Sequence, residues 1–158
     1  MLGRWFSVAD RAIGWLDRLQ SVLTLLIRLY VANVFFKSGL VKIGNWEGTL
    51  ALFEYEYAVP LVSPQLAAVA GTAGELVLPV LLALGLAGRF GAAGLSVLNV
   101  VAVISYYEPL GEIGRQNHFY WGLLLLVPLV FGPGKLSLDA LLWHRLKTAA
   151  HAAAGRPE

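Results

Sequence analysis

Four apolar stretches dominate the chain, Ser21 to Ile43, Gln65 to Gly88, Phe90 to Tyr107 and Gln116 to Phe131. A helix of about 20 residues crosses a hydrocarbon core of ~30 Å, so the first three have the length of a membrane span. The fourth is shorter and contains Pro128, which predicts either a short, kinked span or one that begins earlier, near Gly111. Composition agrees: 58% of the 158 residues are hydrophobic and 14% charged, against roughly 25% charged in a soluble domain. The expected fold class is all-α, an integral membrane four-helix bundle.

Charge placement sets the expected threading. With four spans and the N-terminus inside, the inner segments hold Arg4, Arg11, Arg18, Arg89, Lys135, Arg145, Lys147 and Arg156, whereas the outer ones hold only Lys42 and Arg115. That asymmetry follows the positive-inside rule and predicts cytoplasmic termini in a bacterial inner membrane. It also argues against a dual-topology exporter, which needs balanced loops. The net charge of +2 is too small to suggest nucleic acid as a partner. Cysteine is absent, which excludes disulfides, thiol exchange and cysteine-ligated metal centres.

Outside the spans, residues 1–20 place Trp5, Val8, Ala9, Ala12, Leu16 and Leu19 at helical spacing opposite basic residues, and are expected to form an amphipathic helix on the inner surface. Their charges interrupt any signal-peptide core. Gly44 to Pro64 carries Trp46, Leu50, Phe53, Tyr55 and Tyr57 among Glu47, Glu54 and Glu56, and is expected to fold back as a short interfacial helix with aromatic anchors. Residues 21–142 form the expected membrane domain and 143–158 a cytoplasmic tail. The Gly88-Arg89 junction makes the second and third spans a tight antiparallel hairpin.

Polar groups at membrane depth each need a partner or a task, since a central charge costs ~2.5 to 3.5 kcal/mol on insertion scales. Counted from Ser21 and Gln65, Arg28 lies roughly 10 Å from the inner boundary and Glu75 about 15 Å from the outer one, with Asn99 in the same layer. The three are expected to cluster, either as a clamp fixing helix register or as a group that orients a ligand or relays a proton. A second polar layer is expected at the outer mouth, where Lys42, Tyr106, Tyr107 and His118 gather. Lys37 points the opposite way and is expected to snorkel to the outer interface. No ligand spacing such as His-x-x-x-His exists, so no metal site is expected, and His144 and His151 fall too far into the tail for a bis-histidine haem.

Span one reads Arg28-Leu29, Phe35-Phe36, Ser38-Gly39 and Lys42; span two reads Gly74-Glu75 with Gly85 and Arg89; and the fourth span leaves as Gly132-Pro133-Gly134-Lys135-Leu136-Ser137-Leu138-Asp139. This pattern, from about Ser21 to Leu142, resembles the DoxX family of small bacterial four-span membrane proteins. The final string is a helix stop, with Ser137 or Asp139 free to cap the amphipathic helix that follows. The resemblance implies a role in redox physiology, with Arg28, Gly39, Lys42 and Glu75 carried over as family positions and His118 less securely. The missing cysteines depart from the family's thiol-active relatives. The expected function is a membrane subunit of a redox system that meets a quinone or a redox-enzyme partner, with no covalently bound cofactor. Lys42, His118 and Tyr106 are the expected hydrogen-bond donors to a quinone. A non-catalytic anchor or assembly factor that recruits a redox enzyme through the outer acidic loops is the alternative, and a small-molecule transporter a third; the expected partners are the lipid bilayer and a redox enzyme or a homo-oligomer.

Overall fold

The structure is a computed structural model that describes residues 2–57 and 59–154. Among the described residues, six helices follow in order: α1 (Leu2–Gly44), α2 (Trp46–Tyr55), α3 (Pro64–Leu84), α4 (Gly88–Ser105), α5 (Tyr107–Phe131) and α6 (Leu138–Ala154). Helices α1, α3, α4 and α5 run alternately up and down as a four-helix bundle, and α2 folds back over the end where α1 stops. Every bundle helix contributes to one core: Val31, Ala32 and Phe35 from α1, Leu82 from α3, Ala92 and Leu95 from α4, and Leu125 from α5.

The outward faces are as apolar as that core. Val41, Val77, Val97, Ile104, Phe119 and Val130 are all exposed, and a belt of this kind is stable against lipid rather than water. Among the described residues, three helices, over Gly14–Gly44, Pro64–Leu84 and Gly88–Ser105, are long and apolar enough to cross a membrane. The fourth bundle helix, α5, is more polar at its start because it includes Glu112 and Arg115. Its break falls at Gly111 (φ 62°, ψ −177°), while Pro128 sits buried inside the helix. The fourth apolar stretch is therefore the second part of a longer helix, and of the two expectations the earlier start near Gly111 is the observed one.

Two expected boundaries are not marked by the backbone. Helix α1 continues from the N-terminal segment into the first span without a break at 20/21, and α6 crosses 142/143. The amphipathic face assigned to Trp5, Val8, Ala9 and Ala12 lies outside the described side chains, as do His151 and the terminal Arg156. The expected helix in the first outer loop is α2. Asn45 caps it through Gly48 N–H at 3.1 Å, and Phe53 packs with Ala67 and Ala68 of α3. It is thus seated on the bundle, against α3. Helix α3 starts on Ser63 and Pro64, a cap followed by proline at the first helical position.

The α3–α4 turn is closed from a distance. Gly85 has φ +65°, and a Cβ there would lie 2.5 Å from the Ser137 Cβ, so only glycine fits. Asp139 accepts from Ala87 N–H and Gly88 N–H, both at 2.9 Å, and so caps α4 from 51 residues away. Ser137 caps α6 itself, accepting from Ala140 N–H at 3.2 Å. The two capping candidates at the end of the fourth span therefore serve different helices.

Candidate functional site

Lys42 Nζ lies 2.8 and 2.7 Å from the two carboxylate oxygens of Glu75 and donates to Ser38 Oγ at 2.9 Å. The local sequence explains the arrangement. Ser38 and Lys42 are one helical turn apart and share a face. Gly39, between them, lets α3 approach closely: a Cβ there would meet Leu76 Cδ2 at 2.9 Å and the Glu75 backbone at 3.1 Å. Helix α1 ends two residues beyond Lys42, and Thr49 of α2 donates to the Lys42 carbonyl at 2.9 Å, fixing how α2 folds over the pair. Pro79 supplies no N–H to the Glu75 carbonyl one turn before it.

Beside the ion pair opens a cavity of about 430 Å³, within the range of small-molecule sites. Lys42 and Glu75 are its charged members. Phe53 and Tyr57 form one wall, Gly71 of α3 and Val101 of α4 another, and the connector from Val59 to Val62 crosses it. Tyr57 stacks edge-on against Phe53 and Tyr106, at 4.6 and 4.5 Å between ring centres. Burial, then Tyr106, Glu75 and Glu56, push its phenol up to about 12, so it stays a donor at any ordinary pH. Tyr106 donates to Glu56 Oε2 at 2.9 Å. That bond, then burial and the Glu56 charge, raise its pKa as well.

The expected cluster of Arg28, Glu75 and Asn99 does not form. Arg28 is buried, and its guanidinium donates to four backbone carbonyls: Leu82 at 2.9 Å, Ala83 at 2.7 Å, Leu136 at 3.0 Å, and Pro133. It closes the last turn of α3, where a cation is favoured by the unpaired carbonyls, and ties that turn to the Gly132-Pro133-Gly134 string. Glu75 lies seven residues earlier on α3, roughly 10 Å along the axis. The depth estimate failed because the bundle begins nearer Arg28 than Ser21 suggests: Arg28 is level with the last turn of α3, and Ser21 lies beside Gly134, beyond the end of α5.

Asn99 and His118 pair with each other. Asn99 Nδ2 donates to the His118 carbonyl at 2.9 Å, and His118 Nδ1 lies 2.8 Å from Asn99 Oδ1, joining α4 to α5. The ring of His118 packs on Trp121 at 4.8 Å. The second polar layer is therefore divided: Lys42 and Tyr57 line the cavity, Tyr106 supports Tyr57, Tyr107 stacks under Arg115 at 4.6 Å, and His118 faces Asn99. Gly74 brings α3 against Leu98 of α4. Tyr57 was the residue sequence reasoning passed over as an interfacial anchor. The available signal was its spacing of four from Phe53, which aims both rings at α3. Among the described residues no group of three or more histidines and carboxylates gathers as a metal site.

Chemically, the site offers a mutually neutralised ion pair and a neutral phenol beside largely apolar walls. A family model described as DoxX matches residues 23–108, more than half of the chain. An uncharacterized protein of Haemophilus influenzae is 33% identical over 131 residues, covering 78% of this chain and 85% of that protein. No solved structure matches.

Proposed function

The chain belongs to the DoxX family, and from that premise we propose that it is a membrane subunit of a redox system whose cavity at Lys42 and Glu75 receives a quinone ring. The observation that supports this reading is the cavity itself: about 430 Å³ of largely apolar space with two hydrogen-bond donors, Lys42 and Tyr57, at its lining. A quinone presents two carbonyl acceptors on a flat apolar ring; the Tyr57 phenol suits one, and Lys42, whose three N–H groups reach Ser38 and both Glu75 oxygens, would turn its Ser38 hydrogen bond to the other. Such a group supplies reversible two-electron, two-proton chemistry. The protein's own part is to orient a carbonyl with Lys42, hold a proton at Glu75 or Lys42, and exclude water with Leu98 and Val101. His118, turned to Asn99, positions α5 in this reading, and Arg28 braces the opposite end. The basic bias further supports an inner-membrane location with both termini in the cytoplasm.

The second reading, a non-catalytic anchor, draws on α2, where Glu47 and Glu54, seven residues apart on one face, are exposed, with exposed Tyr55 and the C-cap Glu56 following. That acidic face suits a redox-enzyme partner, or a second copy of this chain, and reduces the ion pair to a clamp. Titration of the purified protein in nanodiscs with a short-chain quinone separates the two. Saturable binding is expected, weakened about tenfold or more by Lys42→Ala/Glu75→Ala, which removes both charges together, and a few-fold by Tyr57→Phe. Folded wild-type protein without saturable binding leaves the anchor.

A further inference from the structure

At the end of the bundle opposite that cavity, the start of α4 and the end of α5 border a shallow groove of about 540 Å³. Two cations line it. Arg89, in the first turn of α4, donates one N–H to the Val130 carbonyl at 3.2 Å, and a guanidinium carries five donors in all. Lys135 stands exposed in the connector after α5. The lining includes one carboxylate, Asp139, and both its oxygens are already taken by Ala87 and Gly88 N–H. The rim is apolar and open: Phe90 is 65% and Phe131 69% exposed, one on each of the two helices.

Cations inside and aromatic rings on the flank match an amphiphile, with an anion held in the groove and hydrocarbon lying along the rings. We propose that this groove binds the phosphate of an anionic phospholipid from the leaflet at that end of the bundle. A free phosphate ion offers the same anion but no use for Phe90 and Phe131, which border the groove where the apolar helices end. Basic residues at the membrane edge attract anionic headgroups at about 1 kcal/mol each. A groove fixed by the Arg28 and Asp139 contacts to Pro133 and Gly88 turns that diffuse attraction into a site.

Native mass spectrometry of protein released from bilayers of equal phosphatidylglycerol and phosphatidylethanolamine tests this. Wild type should retain phosphatidylglycerol preferentially, and Arg89→Gln/Lys135→Gln should lower its affinity for that lipid on the order of thirtyfold, read as a fall in the retained lipid across a phosphatidylglycerol titration. Lys135→Glu, in an exposed connector, should weaken retention by itself and covers the case in which the double variant fails to fold. Lys37→Gln, an exposed basic residue of α1, should change nothing. Equal retention of the two lipids, an undiminished signal in the groove variants, or an equal loss in Lys37→Gln would overturn the proposal. Inorganic phosphate that displaces the lipid at matching concentration would also overturn it, by making the groove a plain anion site.

Discussion

Each side chain of the Lys42–Glu75 pair is 14% exposed, so neither can fall back on water when the other is removed. Breaking a buried pair costs roughly 3 kcal/mol at the lower end of the usual range, most of it the penalty of the charge left behind. Lys42→Met and Glu75→Gln should each destabilise the folded protein in detergent, and the double variant should be markedly less damaged than their sum. Arg28→Met combined with Glu75→Gln should be additive within about 0.5 kcal/mol, because the two share no partner. Melting curves across both cycles check this, and a large Arg28–Glu75 coupling would contradict the carbonyl assignment of Arg28. Tyr57 offers a pH readout. Its phenol pKa is about 12 folded against about 10 unfolded, so the stability it contributes is full below pH 10 and disappears as pH rises through 12. Ultraviolet titration of the folded protein should show a last tyrosine ionising late, and Tyr57→Phe should abolish that last step.

Helix ends in this fold are finished by residues from elsewhere in the chain. Helix α3 stops on the Arg28 guanidinium and α4 starts on the Asp139 carboxylate, cation at the C-terminus and anion at the N-terminus as the helix dipole favours. The string from Gly132 to Asp139 therefore does more than terminate α5: it latches the α3–α4 hairpin shut. Loss of a cap costs typically ~1 kcal/mol and up to about 2, and Asp139 satisfies two N–H groups. Asp139→Ala should lower the detergent melting temperature of the bundle clearly, with Asp139→Asn in between. Ser137→Ala, which uncaps α6 and frees the Gly134 carbonyl but leaves both α4 N–H groups capped, should matter less to the bundle. Equal losses from Asp139→Ala and Ser137→Ala would mean that the latch contributes nothing beyond α6.

Across the whole molecule, the alternation of α1, α3, α4 and α5 brings the Arg28 end of α1, the α3–α4 turn and the end of α5 together. Among the described residues, Arg28, Arg89 and Lys135 thus share that end of the bundle. A C-terminal alkaline phosphatase fusion should be inactive and a C-terminal green fluorescent protein fusion bright; active phosphatase would reverse the proposed orientation. The spans, the folded-back α2 and the helix stop after Phe131 were readable in the residues, because long apolar runs, caps and glycine-proline strings act locally and carry their energy wherever the chain goes. The partners of the charges were not. Whether Glu75 meets Arg28 or Lys42 depends on the relative register of α1 and α3. That register is set by how closely Gly39 lets the helices approach and by which carbonyls Arg28 reaches. Likewise, Tyr57 joins the cavity only because α2 packs on α3 and carries it back over Glu75. The apolar pattern by itself determined that the chain is a membrane helix bundle. Only packing decided which polar groups meet, since a charge buried in a low-dielectric interior gains from a partner within about 3 Å and cannot be assigned one by depth alone.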